Sequence, residues 1–410
     1  MRLRNLSGGK MDSIPLREGD PQPSGATVNL LDSNAEELDA ASRILQALAT
    51  AGGATRLDLV ELTDLPRSTV SATVRRLVAD GEIEEFKHAS STGGRRPTML
   101  RLAKSDGAAY VAELGSHHAR IGVATLSGVL LATDDIEIDV TEGPEQVIQL
   151  LTRRWRSFTP TQNVLAVGLC VPGPVSQHGR ITSAARMPGW NGVDVNGALQ
   201  AATDLPAVVE NDARAAAIGE WSARDEHNES CIYIKAGTGV GAGWISGGVA
   251  YRGAHGFAGD VTHIRIQTDD PQPCSCGNSG CLETVASGAA LLRQLAALGS
   301  PIRTNRDLVA AANGGDHVVT ALVREAGARI GEVLSGIINF LNPSRIVIGG
   351  SMSQMGALLA GFRSELYDRC LPTCTQQLAI ETSLAGPDAP LIGMSVLARQ
   401  LVIHPFRSNK

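Results

Sequence analysis

"CIYIKAGTGVGAGWISGG", residues 231–248, decides the fold. An apolar strand runs into a Gly-rich loop, a second apolar strand leaves it, and Ser-Gly closes the unit. "YVAELGSHHARIGVATLSG", residues 110–128, follows the same plan. From residue 109 onward strands and helices alternate, which predicts an α/β core. Two copies of one strand–loop–strand unit predict a duplicated core with a ligand cleft between its halves. Backbone N–H groups converge in such a bend and suit an anion.

Ahead of this core stands a different pattern. Residues 1–35 are rich in Gly, Pro, Ser and Asp and read as a flexible leader. Leu38, Ala41, Leu45 and Leu48 then recur at helical spacing up to Gly52-Gly53. A short helix follows at residues 56–63. In "LPRSTVSATVRRLVADGEI" a third places Val70, Val74 and Leu77 on one face, with Ser68 and Thr69 as N-cap candidates and Gly81 as the stop. "EIEEFKHASSTGGRRPTMLRLA" reads as two strands joined by a Gly-rich loop. Three helices and a wing make a winged helix-turn-helix over residues 36–104. Residues 86–104 carry five Lys or Arg and no acid, the one-sided charge that phosphate contacts require. A solvated polar face on a protein-interaction module is the other reading.

The net charge of −6 excludes a chain that binds nucleic acid over its whole surface, so DNA contact must be local. The N-terminus has scattered charges and no apolar run, and no stretch reaches the length of a membrane span. The expectation is a cytoplasmic protein, with no membrane partner. Thiols stay reduced there, so the cluster "PCSCGNSGC" at residues 273–281 reads as a metal site before it reads as disulfides. Cys170, Cys231, Cys370 and Cys374 sit in apolar contexts and read as core.

"ENDARAAAIGE", "KAGTGVGAG", "YRGAHGFAGDVTH", "CSCGNSGCLETVAS", "LNPSRIVIGGS" and "DAPLIG" occur in this order. In order and spacing they resemble the ROK family of repressors, open reading frames and kinases, over residues 36–403. The resemblance implies an actin-like, ribonuclease-H-type duplicated fold in residues 105–410. Lobe one would span about 108–225 plus the C-terminal helix, and lobe two about 226–390. It implies one structural Zn²⁺ per chain on His263, Cys274, Cys276 and Cys281, a set that suits tetrahedral zinc. It implies that Asn211, Asp212, His263 and Glu283 grip a sugar. In the kinases the Asp at position 212 is the base that deprotonates the attacking hydroxyl.

This chain departs from the kinase pattern. The family's D-x-G-G-T-K reads Glu113, Leu114, Gly115, Ser116, His117 and His118, so bulky imidazoles stand where backbone should approach phosphate. Gly237, Thr238 and Gly239 remain as a vestigial second phosphate loop. No catalysis is therefore expected. The family's Gly-Glu-x-Gly-His carries Asp260 in place of Glu, and Arg186 replaces an Asn before "MPGW". An Arg fork suits a carboxylate or phosphate. The expected effector is a sugar, a sugar phosphate or a sugar acid, held by Asn211, Asp212, Asp260, His263, Glu283 and Arg186.

The reading is a transcriptional regulator, of repressor type, for carbohydrate metabolism. It would read double-stranded operator DNA with Arg67, Ser68, Thr69, Ser71 and Thr73 on the third helix. Arg95 and Arg96 would serve in the wing, and the protein would act as a homodimer or homotetramer. A sugar kinase with a DNA-binding extension, and a regulator that senses nothing small, are the alternatives.

Overall fold

The computed structural model describes residues 40–403, except residue 52 and residues 80–81, 87–97, 103–106, 177–178, 183–186 and 225–229. The leader read in residues 1–35 lies outside them.

The N-terminal module holds α1 (Ala40–Ala51), β1 (Ala54–Thr55), α2 (Arg56–Thr63), α3 (Arg67–Ala79), β2 (Ile83–Phe86) and β3 (Met99–Leu102). Thr55 caps α2 reciprocally: its side chain accepts from Asp58 N, and Asp58 accepts from Thr55 N. Val70, Val74 and Leu77 face Ile44, Leu45, Leu48, Leu59 and Leu100 in one buried core. The strands form a sheet in the order β1-β3-β2, so a short strand ahead of α2 completes the wing sheet. Because α3 begins at Arg67, Ser68 and Thr69 lie in its first turn and do not cap it.

Residues 107–224 supply β4 (Ala108–Leu114), β5 (His118–Thr125), β6 (Leu130–Glu137), α4 (Pro144–Trp155), β7 (Val164–Val171), α5 (Val195–Thr203), β8 (Ala207–Asn211) and α6 (Asp212–Ser222). Residues 230–403 supply β9 (Cys231–Ala236), β10 (Val240–Ser246), β11 (Val249–Ala250), α7 (Glu283–Ala286), α8 (Gly288–Ala297), α9 (Asn305–Asn313) and α10 (His317–Leu341). They continue with β12 (Arg345–Gly349), α11 (Gly356–Arg369), α12 (Pro372–Thr375), β13 (Ala379–Thr382) and α13 (Ala389–Ile403).

One sheet has the order β6-β5-β4-β7-β8 and the other β11-β10-β9-β12-β13. In each, the first three strands are antiparallel and the last two add in parallel. Identical topology makes the duplication explicit. Strand β7, "VLAVGLCV", is apolar almost throughout because helices cover both faces of its sheet. Trp155 and Trp190 are fully buried in this half, and each indole N–H donates to a backbone carbonyl, of Val111 and Val140. In the second half Val319, Val323, Ile330, Leu334 and Ile338 of α10 pack with Leu358, Phe362 and Leu366 of α11.

The halves meet through two helices. α6 packs on β9 and β10, while α13 packs on β4, β7 and β8, and the two cross each other. The crossing is backbone to backbone. A Cβ on Gly219 would stand 1.9 Å from Ala389 O, and one on Gly393 1.8 Å from Ala215 O. Only glycine allows that approach. Among the described residues no helix is long and apolar enough to cross a membrane.

Candidate functional site

The parallel strand β8 delivers Asn211 and Asp212 to its carboxyl end, where ligands bind in open α/β sheets. The N-cap of α6 is Asn211, not Asp212: its Oδ1 accepts from Arg214 N at 3.0 Å, and its Nδ2 donates to Gly173 O. Asp212 is thereby freed from the capping role. Its Oδ1 accepts from Ala213 N and Asn211 Nδ2, and its Oδ2 accepts from Lys235 Nζ at 2.5 Å. A carboxylate oxygen takes about two hydrogen bonds. Among the described contacts, Oδ2 keeps one lone pair for a hydroxyl.

Behind this turn lies a buried charge cluster that the sequence reading missed. Glu210 is 1% exposed and accepts from Asn211 N, Arg214 Nε and Arg252 Nε. Arg214, 2% exposed, reaches on to the carbonyls of Gly256 and Ala258. One guanidinium thus ties the Asn211–Asp212 turn to the loop that carries Asp260. The spacing of Glu210 and Arg214, four apart on "ENDAR", is the signal that could have found it.

Asp260 is half-buried and folds back on its own turn, accepting from Thr262 N, while Thr262 Oγ1 donates to Val240 O. Glu283 is buried at the start of α7, and its N–H donates to Thr262 O, beside His263. Arg186 lies outside the described residues.

His263, Cys274, Cys276 and Cys281 converge, with all four donor atoms within 4.8 Å of one another. Sγ of Cys274 is 3.4 Å from His263 Nδ1, and Sγ of Cys276 is 3.6 Å from that of Cys281. Zn–S bonds near 2.3 Å in a tetrahedron put donor atoms about 3.8 Å apart, so the donor set fits the ion. The knuckle is held by Cys274 N donating to Asn278 O and Ile266 N donating to Gly280 O. The Asn278 backbone N–H lowers the Cys276 thiol below its usual pKa, while burial and the neighbouring thiols push Cys281 up to about 12. A divalent ion at the centre would supply the charge that deprotonates such thiols. Cys170, Cys231 and Cys370 are buried, and Cys374 is half-buried.

The two phosphate-type loops differ. The bend at 115–118 is tight, with Gly115 N donating to His118 O, and the His118 ring lies over Gly115: a Cβ there would stand 2.5 Å from its Cε1. Gly237-Thr238-Gly239 is braced from behind. Gly237 O accepts from Gly288 N, Thr238 O from Ala289 N, and Thr238 Oγ1 from Asn305 Nδ2 at 2.9 Å.

On α3, Arg67 and Ser68 are exposed, and Thr69, Ser71 and Thr73 are half-exposed. Arg75 and Arg76 also stand exposed and were not singled out from the sequence. Arg95 and Arg96 lie outside the described residues.

The model of the ROK family matches residues 110–401, and that of the MarR family residues 38–96. A putative xylose repressor from Caldicellulosiruptor sp. (strain Rt8B.4) is 31% identical over 358 residues, 82% of this chain and 90% of that protein. The crystal structure of a ROK family transcriptional regulator, a homologue of the E. coli MLC protein, is similar with a TM-score of 0.71 and 26% identity. It covers 88% of this chain and 96% of that one. A ROK family glucokinase from Streptomyces griseus, in complex with glucose and AMPPNP, is similar with a TM-score of 0.65 and 27% identity, over 72% of this chain and all of that one.

Proposed function

Because the chain belongs to the ROK family and carries a MarR-type winged helix ahead of the ROK domain, we propose that it is a sugar-responsive transcriptional repressor of carbohydrate genes. The observation that carries this reading is the presence in one chain of an exposed third helix, α3, in the winged-helix module and of an Asn-Asp turn at the carboxyl end of a parallel strand in the ROK domain. The xylose repressor that aligns with most of the chain supports it. Arg67, Ser68, Thr69, Ser71 and Thr73 read operator DNA, helped by Arg95 and Arg96. Asn211, Asp212, Asp260, His263, Glu283 and Arg186 hold the effector. One Zn²⁺ on His263, Cys274, Cys276 and Cys281 fixes the His263 ring for that task. The protein works in the cytoplasm as a homodimer or homotetramer. Phe340 and Leu371, both exposed where Leu371 N donates to Asn339 Oδ1, supply apolar surface for self-association.

The test is coupled binding. Operator affinity should fall steeply with salt, and the effector, found by thermal shift in a panel of sugars, sugar phosphates and sugar acids, should change it. Linkage requires that a tenfold loss of operator affinity weaken the sugar tenfold on the DNA complex, about 1.4 kcal/mol of coupling. Asp212→Asn should abolish sugar binding and leave sugar-free operator binding intact. Equal sugar affinity for free and DNA-bound protein removes the sensor reading and leaves a regulator that senses nothing small.

The similarity to a glucokinase favours a kinase as the second reading. Against it, His118 covers Gly115 in the first loop, and Asp212 is engaged by Lys235. Without a complete phosphate clamp the electrostatic stabilisation that carries phosphoryl transfer is lost. With ATP, Mg²⁺ and the sugar panel, no turnover is expected at enzyme levels where about one cycle per second would be obvious. Turnover that Asp212→Asn abolishes restores the kinase.

A further inference from the structure

Lys235 is a lysine inside an otherwise apolar run, "CIYIKAG", and its ammonium reaches into the cleft. It donates to Asp212 Oδ2 at 2.5 Å and to Glu113 Oε1. The three side chains come from different places. Lys235 lies near the end of β9 in the second half, Glu113 near the end of β4 in the first, and Asp212 opens α6. All three are mostly shielded, with side-chain exposures of 21%, 16% and 16%.

One nitrogen that donates to both acids over such short bonds keeps the accepting oxygens no more than about 5 Å apart. Two carboxylates at that distance repel unless a cation stands between them, and a calcium ion with bonds of about 2.3–2.6 Å could also span them. Here the chain supplies the cation. Burial by itself lowers the pKa of an ammonium, but the charges of Asp212 and Glu113 and their hydrogen bonds outweigh it and hold Lys235 above its ordinary value.

We propose that the Lys235 ammonium is a built-in cation that bolts the two lobes together across the cleft, in place of a divalent ion between Glu113 and Asp212. The cleft then keeps its arrangement with neither metal nor nucleotide. A metal–nucleotide complex meets an occupied site.

The test uses the full-length protein and two cations that thiolate sites ignore, Mg²⁺ and Ca²⁺. For the wild type, millimolar amounts of either should leave the melting temperature unchanged. Lys235→Met removes the charge at similar length and leaves the two acids face to face. It should melt several degrees lower and regain most of the loss when Ca²⁺ is added. Lys235→Met combined with Glu113→Gln should lose the Ca²⁺ response. A Lys235→Met protein that melts like the wild type, or stays destabilised at any Ca²⁺ concentration, overturns the proposal. If that variant does not accumulate in folded form, calorimetric titration of the wild type decides. Absence of Mg²⁺, Ca²⁺ and Mg-ATP binding supports the bolt, and binding that Glu113→Gln abolishes sinks it. Sugar binding enters none of these readouts, so they stand apart from the sensor test.

Discussion

Cys276→Ser should release the zinc and lower the melting temperature far more than substitution of a half-buried thiol outside the cluster. Cys276, like Cys274, is only half-buried, whereas Cys281 is fully buried and its loss would also disturb the core. An ion that binds only the native state, at a free concentration about 1,000 times its Kd, stabilises by about 4 kcal/mol. Three remaining ligands hold the ion far less well, so most of that contribution should vanish. Cys374→Ser, at a half-buried thiol outside the cluster, is the control and should change little. Metal analysis of the wild type should find one zinc per chain. Finding none in folded, DNA-binding protein would remove the metal assignment.

Glu220→Ala should cost about 3–5 kcal/mol, the penalty for leaving a buried charge network without one partner. Glu220 is 0% exposed. Its Oε1 accepts from Arg224 Nε at 2.9 Å and from Leu384 N at 3.0 Å, and its Oε2 accepts from Ser383 Oγ at 2.6 Å and Ala385 N at 3.0 Å. Arg224 continues to Glu381, which Arg345 also holds. Burial alone would raise the Glu381 pKa, but those two guanidiniums bring it below the ordinary value. Truncating Glu220 leaves two backbone N–H groups, the Ser383 hydroxyl and a guanidinium without their buried acceptor, and loosens the segment that leads into α13. The melting transition of this module should fall by on the order of 10 °C. Glu325→Ala, which removes an exposed pair with Arg329, should cost less than about 1 kcal/mol. Similar losses for the two variants would show that the network carries no special weight.

What the sequence made legible was what lies close along the chain. The duplicated strand–loop–strand unit, the recognition helix and the cysteine knuckle are each written within about one supersecondary element, where spacing alone sets geometry. The cluster that could hold a metal needed only His263 from outside the knuckle. Local capping was harder, because a one-residue shift changes the role: Asn211, not its neighbour Asp212, caps α6, and Arg67 opens α3 ahead of the expected caps Ser68 and Thr69. Long-range charge pairing was not legible at all. Lys235 meets Glu113 across 122 positions and Arg224 meets Glu381 across 157, and no local pattern encodes such partners. The clue was chemical: a lysine, an arginine and two glutamates placed in otherwise apolar or alanine-rich runs must find partners, since burying a lone charge is prohibitive.

The crossing of α6 and α13 has a mechanical consequence. Helices kept apart by side chains can slide, because rotamers yield. Here carbonyl oxygens sit where the Cβ atoms of Gly219 and Gly393 would be, so nothing soft lies between the two backbones. Translation along either axis is stiff until the backbones part, while rotation about the point of touch stays compliant. Such a joint is a pivot. A turn of about 10° there would carry the far end of α13, ten residues beyond Gly393, through roughly 3 Å. Any change of angle between the lobes would be geared at this joint into a displacement at the end of α13 large enough for a neighbouring surface to register.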